Sequence, residues 1–159
     1  VETLKARAEE MHVAREAVLG RTRKLGQLAA KSIRHVHRRQ YDEAARLLAE
    51  CRAECAATRE VLKGQREMNP SYLHDTEKEM VEAAIVLAIA LDRPLPGPDE
   101  LGTATMTYLN GAGEAASEVR RFALDAMRVG DHATAERILG VMEAIYEDLI
   151  SFDYADSLT

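Results

Sequence analysis

Four glutamates carry the strongest chemical signal in this chain. Glu79 and Glu82 stand three apart, and Glu114 and Glu118 four apart, so each pair shares one face of a helix. From Met80 to Leu91 every residue other than Glu82 is apolar. A helix apolar nearly all round is buried on most sides. A carboxylate buried there is costly unless it is protonated, paired or bound to a cation. Two helices that each offer a carboxylate pair can build an oxygen-only site of the kind Mg²⁺ takes, usually with several waters retained. A metal there would orient a water, lower its pKa and neutralise charge on a phosphoryl group. The plainer reading pairs Glu118 with Arg120 or Arg121 and Glu82 with Lys78, and leaves the acidic faces solvated. Spacing alone keeps both readings open. A di-iron bundle would need Glu-x-x-His on two helices. The chain holds one such match, Glu9 to His12, far along the sequence from the other glutamates.

A second signal is electrostatic. The net charge is −6, yet residues 1–40 hold ten Lys/Arg against four acids, and the remainder holds eleven against 23. Between 21 and 40 there are seven basic residues, two histidines and no acid. Lys24, Gln27, Lys31, Arg34 and Arg38 recur at spacings of three and four, a ladder along one side of a helix. Arg23, His35, His37 and Arg39 lie near it. Such a ladder can follow a phosphate backbone, which positions a strand without reading its sequence. No aromatic residues interleave with it, so base stacking is not indicated. The competing reading is a face that is solvated or pairs with the acidic helices of the same or a neighbouring chain.

Other chemistries lack their patterns. There is no phosphate-binding glycine loop, no Gly-x-Ser-x-Gly elbow and no HExxH. The five histidines form no ligand set and read mostly as surface residues. Cys51 and Cys55 lie four apart with no second Cys/His pair to complete a zinc site, and read as reduced packing residues. No apolar run approaches the roughly 18 residues of a membrane span. The opening VETLKARAEE lacks the apolar core of a signal peptide. A cytoplasmic protein with no membrane partner is expected.

Helices must position these residues. The 159 residues fit one domain, include only four prolines and nine glycines, and are 4% aromatic. No stretch alternates as a strand would. A first helix is expected from about Thr3 to Arg39 with Leu25, Leu28, Ser32 and Val36 inward. A second should run from Asp42 to about Lys63 with Ala45, Leu48, Cys55 and Leu62 as apolar positions. NPSY at 69–72 is a break, with Pro70 near the first turn of a third helix that ends at Leu91. Residues 92–102 are a loop with one short turn at Pro98–Leu101. A fourth long helix spans Thr105 to Val129, with Tyr108, Ala112, Ala116, Val119, Ala123 and Met127 inward. Gly130 caps it, and Asp131 opens a last helix reaching about Tyr154. Five long helices with short connections make an antiparallel all-α bundle.

Several motifs resemble the translin/Trax family, in order and separation along essentially the whole chain. They are Tyr108-Leu109-Asn110-Gly111, Glu118-Val119-Arg120-Arg121 and Gly130-Asp131, with Glu79-Met80-Val81-Glu82-Ala83 before them. IYEDLISFDYADSL is similar to the family's late helix, and Lys31, Ile33, His37 and Arg38 stand in corresponding places of the first. The resemblance implies an all-α fold of about seven helices and assembly into closed, roughly octameric shells. It implies a Mg²⁺-dependent endoribonuclease, with Mn²⁺ as an alternative metal and RNA, or single-stranded DNA, as partner. Carried over residue by residue, the catalytic carboxylates are Glu79, Glu82, Glu114 and Glu118, of which Glu79, Glu82 and Glu114 hold the metal. The expected RNA-binding residues are Lys31, His37 and Arg38 at the family's places, with Lys24 and Arg34 from the same basic ladder. With all four carboxylates the chain looks Trax-like, and similar to an archaeal member that assembles with itself; a non-catalytic, translin-like nucleic-acid-binding oligomer is the alternative. Glu114 stands where Trax has aspartate. The sequence also stops at Thr159, where the family usually continues with another helix.

Overall fold

The apolar run from Met80 to Leu91 becomes the centre of the molecule. The computed structural model describes residues 2–63 and 70–152. Its helices are α1 (Glu2–His37), α2 (Tyr41–Lys63), α3 (His74–Ala90), α4 (Pro98–Leu101), α5 (Thr105–Arg128) and α6 (His132–Ser151), with a 3₁₀ turn at Pro70–Leu73 leading into α3. No strand occurs among the described residues. The five long helices and the single short turn at Pro98–Leu101 follow the sequence expectation. Asn69 and the approach of the last helix to Tyr154 lie outside the described residues.

Packing runs outward from α3, which rests on α1, α2 and α5; α6 covers α5, and α2 covers α1. Met80, Val81, Ala83 and the run from Ala84 to Ile89 are buried, leaving Glu82 as a polar inset in an otherwise apolar helix. The predicted α1 stripe of Leu25, Leu28, Ser32 and Val36 is buried throughout. Ser32 satisfies its hydroxyl by donating to the Ala44 carbonyl of α2 at 2.9 Å, which ties the two helices across a short turn. Cys51 and Cys55 are free and buried in the core. Two expected inward positions face out. Ala45 is exposed, and Ala44, Leu47 and Cys51 carry the α2 face instead. Met127 is 56% exposed, and Ala126 turns inward in its place.

The helix ends are local in origin. Gly130 takes φ 77°, and the Asp131 side chain accepts from the Thr134 amide at 3.1 Å to start α6. Arg137 donates to the Ile89 carbonyl at 3.0 Å and meets Asp92 at 3.2 Å, pinning the end of α3 to α6.

Two glycines matter at the helix crossings. A Cβ on Gly111 would lie 2.7 Å from both the Lys78 carbonyl and the Val81 Cβ. Only glycine lets α5 lie on α3 there. A Cβ on Gly26 would come within 2.8 Å of the Glu79 carboxylate, so the bare backbone of α1 there leaves room for the end of that side chain. Gly111 belongs to the Tyr-Leu-Asn-Gly motif. Gly26 carried no signal in the sequence.

Candidate functional site

The close crossing at Gly111 decides where the glutamates meet. Glu114 is one turn beyond Gly111 on α5, and Lys78, Glu79 and Glu82 of α3 line the same cleft. A cleft of about 510 Å³ results, lined by Glu79, Glu82, Glu114, Glu118, Lys78 and, from α1, Ala30, Ile33 and Arg34. All four carboxylates therefore share one cleft, as their spacing allowed but could not require.

The electrostatics follow from burial and crowding. Loss of water, then the neighbouring charges of Glu114, Glu118 and Glu79, push the Glu82 carboxyl up to about 7. Burial also raises Glu79. Four carboxylates face two cations, Arg34 and Lys78, so the cleft carries excess negative charge.

The ion pairs differ from those expected. Lys78 pairs with Glu114, Nζ to Oε1 at 2.7 Å, and not with Glu82. That bond raises the Lys78 ammonium above the usual lysine range. Glu118 bonds neither Arg120 nor Arg121. Its partner is the His37 ring, through Nε2. His37 is only 12% exposed and stacks on Phe122, ring centroids 4.5 Å apart at 5°. His37, expected among the RNA-contacting residues, is thus engaged with a catalytic candidate. The histidines are less superficial than expected. His74 bonds Thr107 at 2.9 Å and His35 bonds Gln40 at 2.6 Å, both half-buried.

The basic stripe divides. Lys24 reaches across to Glu50 and Glu54 of α2, at 3.7 and 3.9 Å. Lys31 and Arg38 are exposed, and Arg34 stands at the shared edge of stripe and cleft. None of these three forms an ion pair among the described residues. Glu9 and His12 are exposed near the start of α1, outside the cleft.

Oxygen-only donors of this kind suit a hard divalent cation. Glu79, Glu82 and Glu114 offer that chemistry, and the raised Glu82 marks negative charge that a cation would relieve. Among the described residues, however, no three His, Cys, Asp or Glu side chains stand together as a ready metal-binding group. Carboxylate arms would have to turn, and Lys78 already holds one oxygen of Glu114.

A helical bundle with an acidic cleft beside a basic first helix defines the class. No family model matches the chain. It is 33% identical to AfC3PO, over 99% of this chain and 82% of that one, with a TM-score of 0.84 to the crystal structure and 0.82 to a structure of AfC3PO with duplex RNA. The chain belongs to the translin/Trax-like family of C3PO proteins. Apo-NeC3PO, at 23% identity and a TM-score of 0.88, shares the fold over 99% of this chain and 84% of that one. An uncharacterized protein of Methanocaldococcus jannaschii is 36% identical over 84 residues, which is 52% of this chain and 38% of that protein's length. No helix among the described residues is long and apolar enough to cross a membrane.

Proposed function

We propose that the chain is a subunit of a divalent-metal-dependent endoribonuclease, hydrolysing phosphodiester bonds of short single-stranded or duplex RNA within a shell of its own copies. The observation that carries this is the convergence of four carboxylates from α3 and α5 on one cleft, with Arg34 joining it to the basic face of α1. The structure of AfC3PO with duplex RNA supports RNA as the partner. Glu79, Glu82 and Glu114 would hold Mg²⁺, or Mn²⁺. When bound, the metal supplies an activated water and charge neutralisation at the scissile phosphate.

The chain's own residues do the rest. Lys31, Arg34 and Arg38 bind phosphates and fix the register of a strand along α1. The acidic cleft repels RNA until its charge is neutralised, which makes strand placement depend on the cation. Glu118, held by His37 at the cleft, is the base that takes a proton from the attacking water. Incubation with short RNA and Mg²⁺ or Mn²⁺ tests the reading. Cleavage is expected, and Glu82→Ala or Glu114→Ala should abolish it; cleavage that survives either change places the catalyst elsewhere. Lys31→Glu with Arg34→Glu should weaken RNA binding and flatten its salt dependence. Binding indifferent to that double change, or none at low salt, would point to a helical scaffold without a nucleic-acid partner.

A second reading, a non-catalytic RNA- or DNA-binding oligomer, is favoured by two observations. Glu114 is satisfied by Lys78, and no ready metal-binding group stands among the described residues. RNA binding without turnover across a range of Mg²⁺ and Mn²⁺ concentrations would select it.

A further inference from the structure

We propose that Lys78 is a built-in counter-ion of the carboxylate cleft: it holds Glu114 where a divalent cation would, and so sets how tightly that cation binds. This rests on the metal-site reading above.

The placement of the pair carries the argument. Lys78 Nζ lies 2.7 Å from Glu114 Oε1, and among the described residues it is the ion-pair partner of no other acid. Among the same residues Glu114 has no second cation. Both residues line the 510 Å³ cleft, and both line an adjoining hollow of about 480 Å³ with Asp75, His74, Asn110 and Ser117. The pair is therefore the partition between two hollows. Its position is fixed by the backbone. Gly111 brings the Lys78 carbonyl against α5, and Glu114 stands one turn further along.

Exchange follows from the charges. A dication taken up by Glu114 would meet an ammonium bonded to the same carboxylate. Two like charges that close repel each other. Metal uptake and the Lys78–Glu114 bond therefore oppose each other. The lysine has somewhere to go, because Asp75 lies three residues back on the same face of α3 and lines the second hollow. The cation enters by ion exchange, and its affinity is lowered by the bond it must weaken. The cleft in turn keeps its carboxylates together without metal, since Lys78 offsets part of their repulsion.

Calorimetric titration of Mn²⁺ into the full chain, without RNA, reads this directly. Lys78→Met should bind Mn²⁺ about tenfold more tightly than the parent, within the usual range of coupling between sites. Lys78→Arg, which keeps the charge, should stay near the parent, and Glu114→Gln should lose binding. If Lys78→Met does not fold, Lys78→Gln is judged by the same criterion. Equal or weaker binding by the neutral variants, or equal tightening by Lys78→Arg, overturns the inference while leaving the metal site standing. If neither the parent nor the neutral variants bind Mn²⁺, the metal-site reading fails and the inference falls with it.

Discussion

Glu82 concentrates the chemistry of the molecule in one side chain, set in an apolar helix with three other carboxylates in the same cleft. Its carboxyl, pushed up to about 7, binds a proton more tightly in the folded than in the unfolded chain. The cost of burying its charge is therefore absent at pH values below the ordinary carboxylate range. It grows as pH rises and is complete above about 7, so stability falls across that window. Glu82→Gln should raise the melting temperature in metal-free buffer above neutrality, and the gain should shrink as pH falls and vanish only below the ordinary carboxylate range. Thermal melts across pH check this; a gain that does not vary with pH would mean that charge burial is not the cause. His37 gives a second expectation at this scale. Its ring is bonded to Glu118 and stacked on Phe122, not free on the surface. His37→Ala should leave RNA affinity nearly unchanged and slow cleavage by about 10- to 100-fold, the scale of a misplaced catalytic group. Paired binding and single-turnover assays separate the two effects, and a loss confined to affinity would return His37 to phosphate contact.

The helices matter through their crossings more than their lengths. Gly111→Ala would place a Cβ 2.7 Å from the Lys78 carbonyl and the Val81 side chain, and α3 and α5 would have to part. Overpacking of this kind typically destabilises by about 1–3 kcal/mol. The same shift would move Glu114 away from α3. A methyl group on Gly140, in α6, would meet nothing within 4 Å, so Gly140→Ala should instead stabilise by about 0.5–1 kcal/mol through helix propensity. Denaturant unfolding of the two variants should therefore move in opposite directions; a stabilising Gly111→Ala would show that the crossing is not tight.

For the whole molecule, α6 leaves an apolar face uncovered. It packs mainly on α5. Leu139, Tyr146 and Ile150, which share one side of the helix, are 49%, 63% and 59% exposed, with exposed Glu143 among them. An exposed apolar stripe of this kind marks a contact surface. If self-assembly uses it, Tyr146→Glu with Ile150→Glu should shift the protein to smaller species in light scattering. The fold of each subunit should be kept, since neither side chain belongs to the core. An unchanged mass would move the interface to another face.

Much of this architecture was legible in the sequence, because the signals are local. Helix periodicity depends on neighbours three and four apart, and the Gly130-Asp131 stop and start depends on adjacent residues, so the element order and most boundaries could be read directly. So could the two carboxylate pairs and the basic stripe of α1. Partners across helices could not. Lys78 meets Glu114 across 36 positions, and His37 meets Glu118 across 81. Nothing in the spacing of either pair records the crossing angle that joins them. Ala45 and Met127 were misplaced for the same reason, since an apolar residue turns inward only where a neighbouring helix is present to cover it. The amino-acid sequence by itself determined an all-helical chain with two glutamate pairs and a basic face. The tertiary structure alone decided that the four glutamates share one cleft, and that a lysine occupies one of them. It did so because Gly111 lets the α3 and α5 backbones approach more closely than any other residue would permit, while the bare backbone at Gly26 on α1 leaves room for the Glu79 carboxylate.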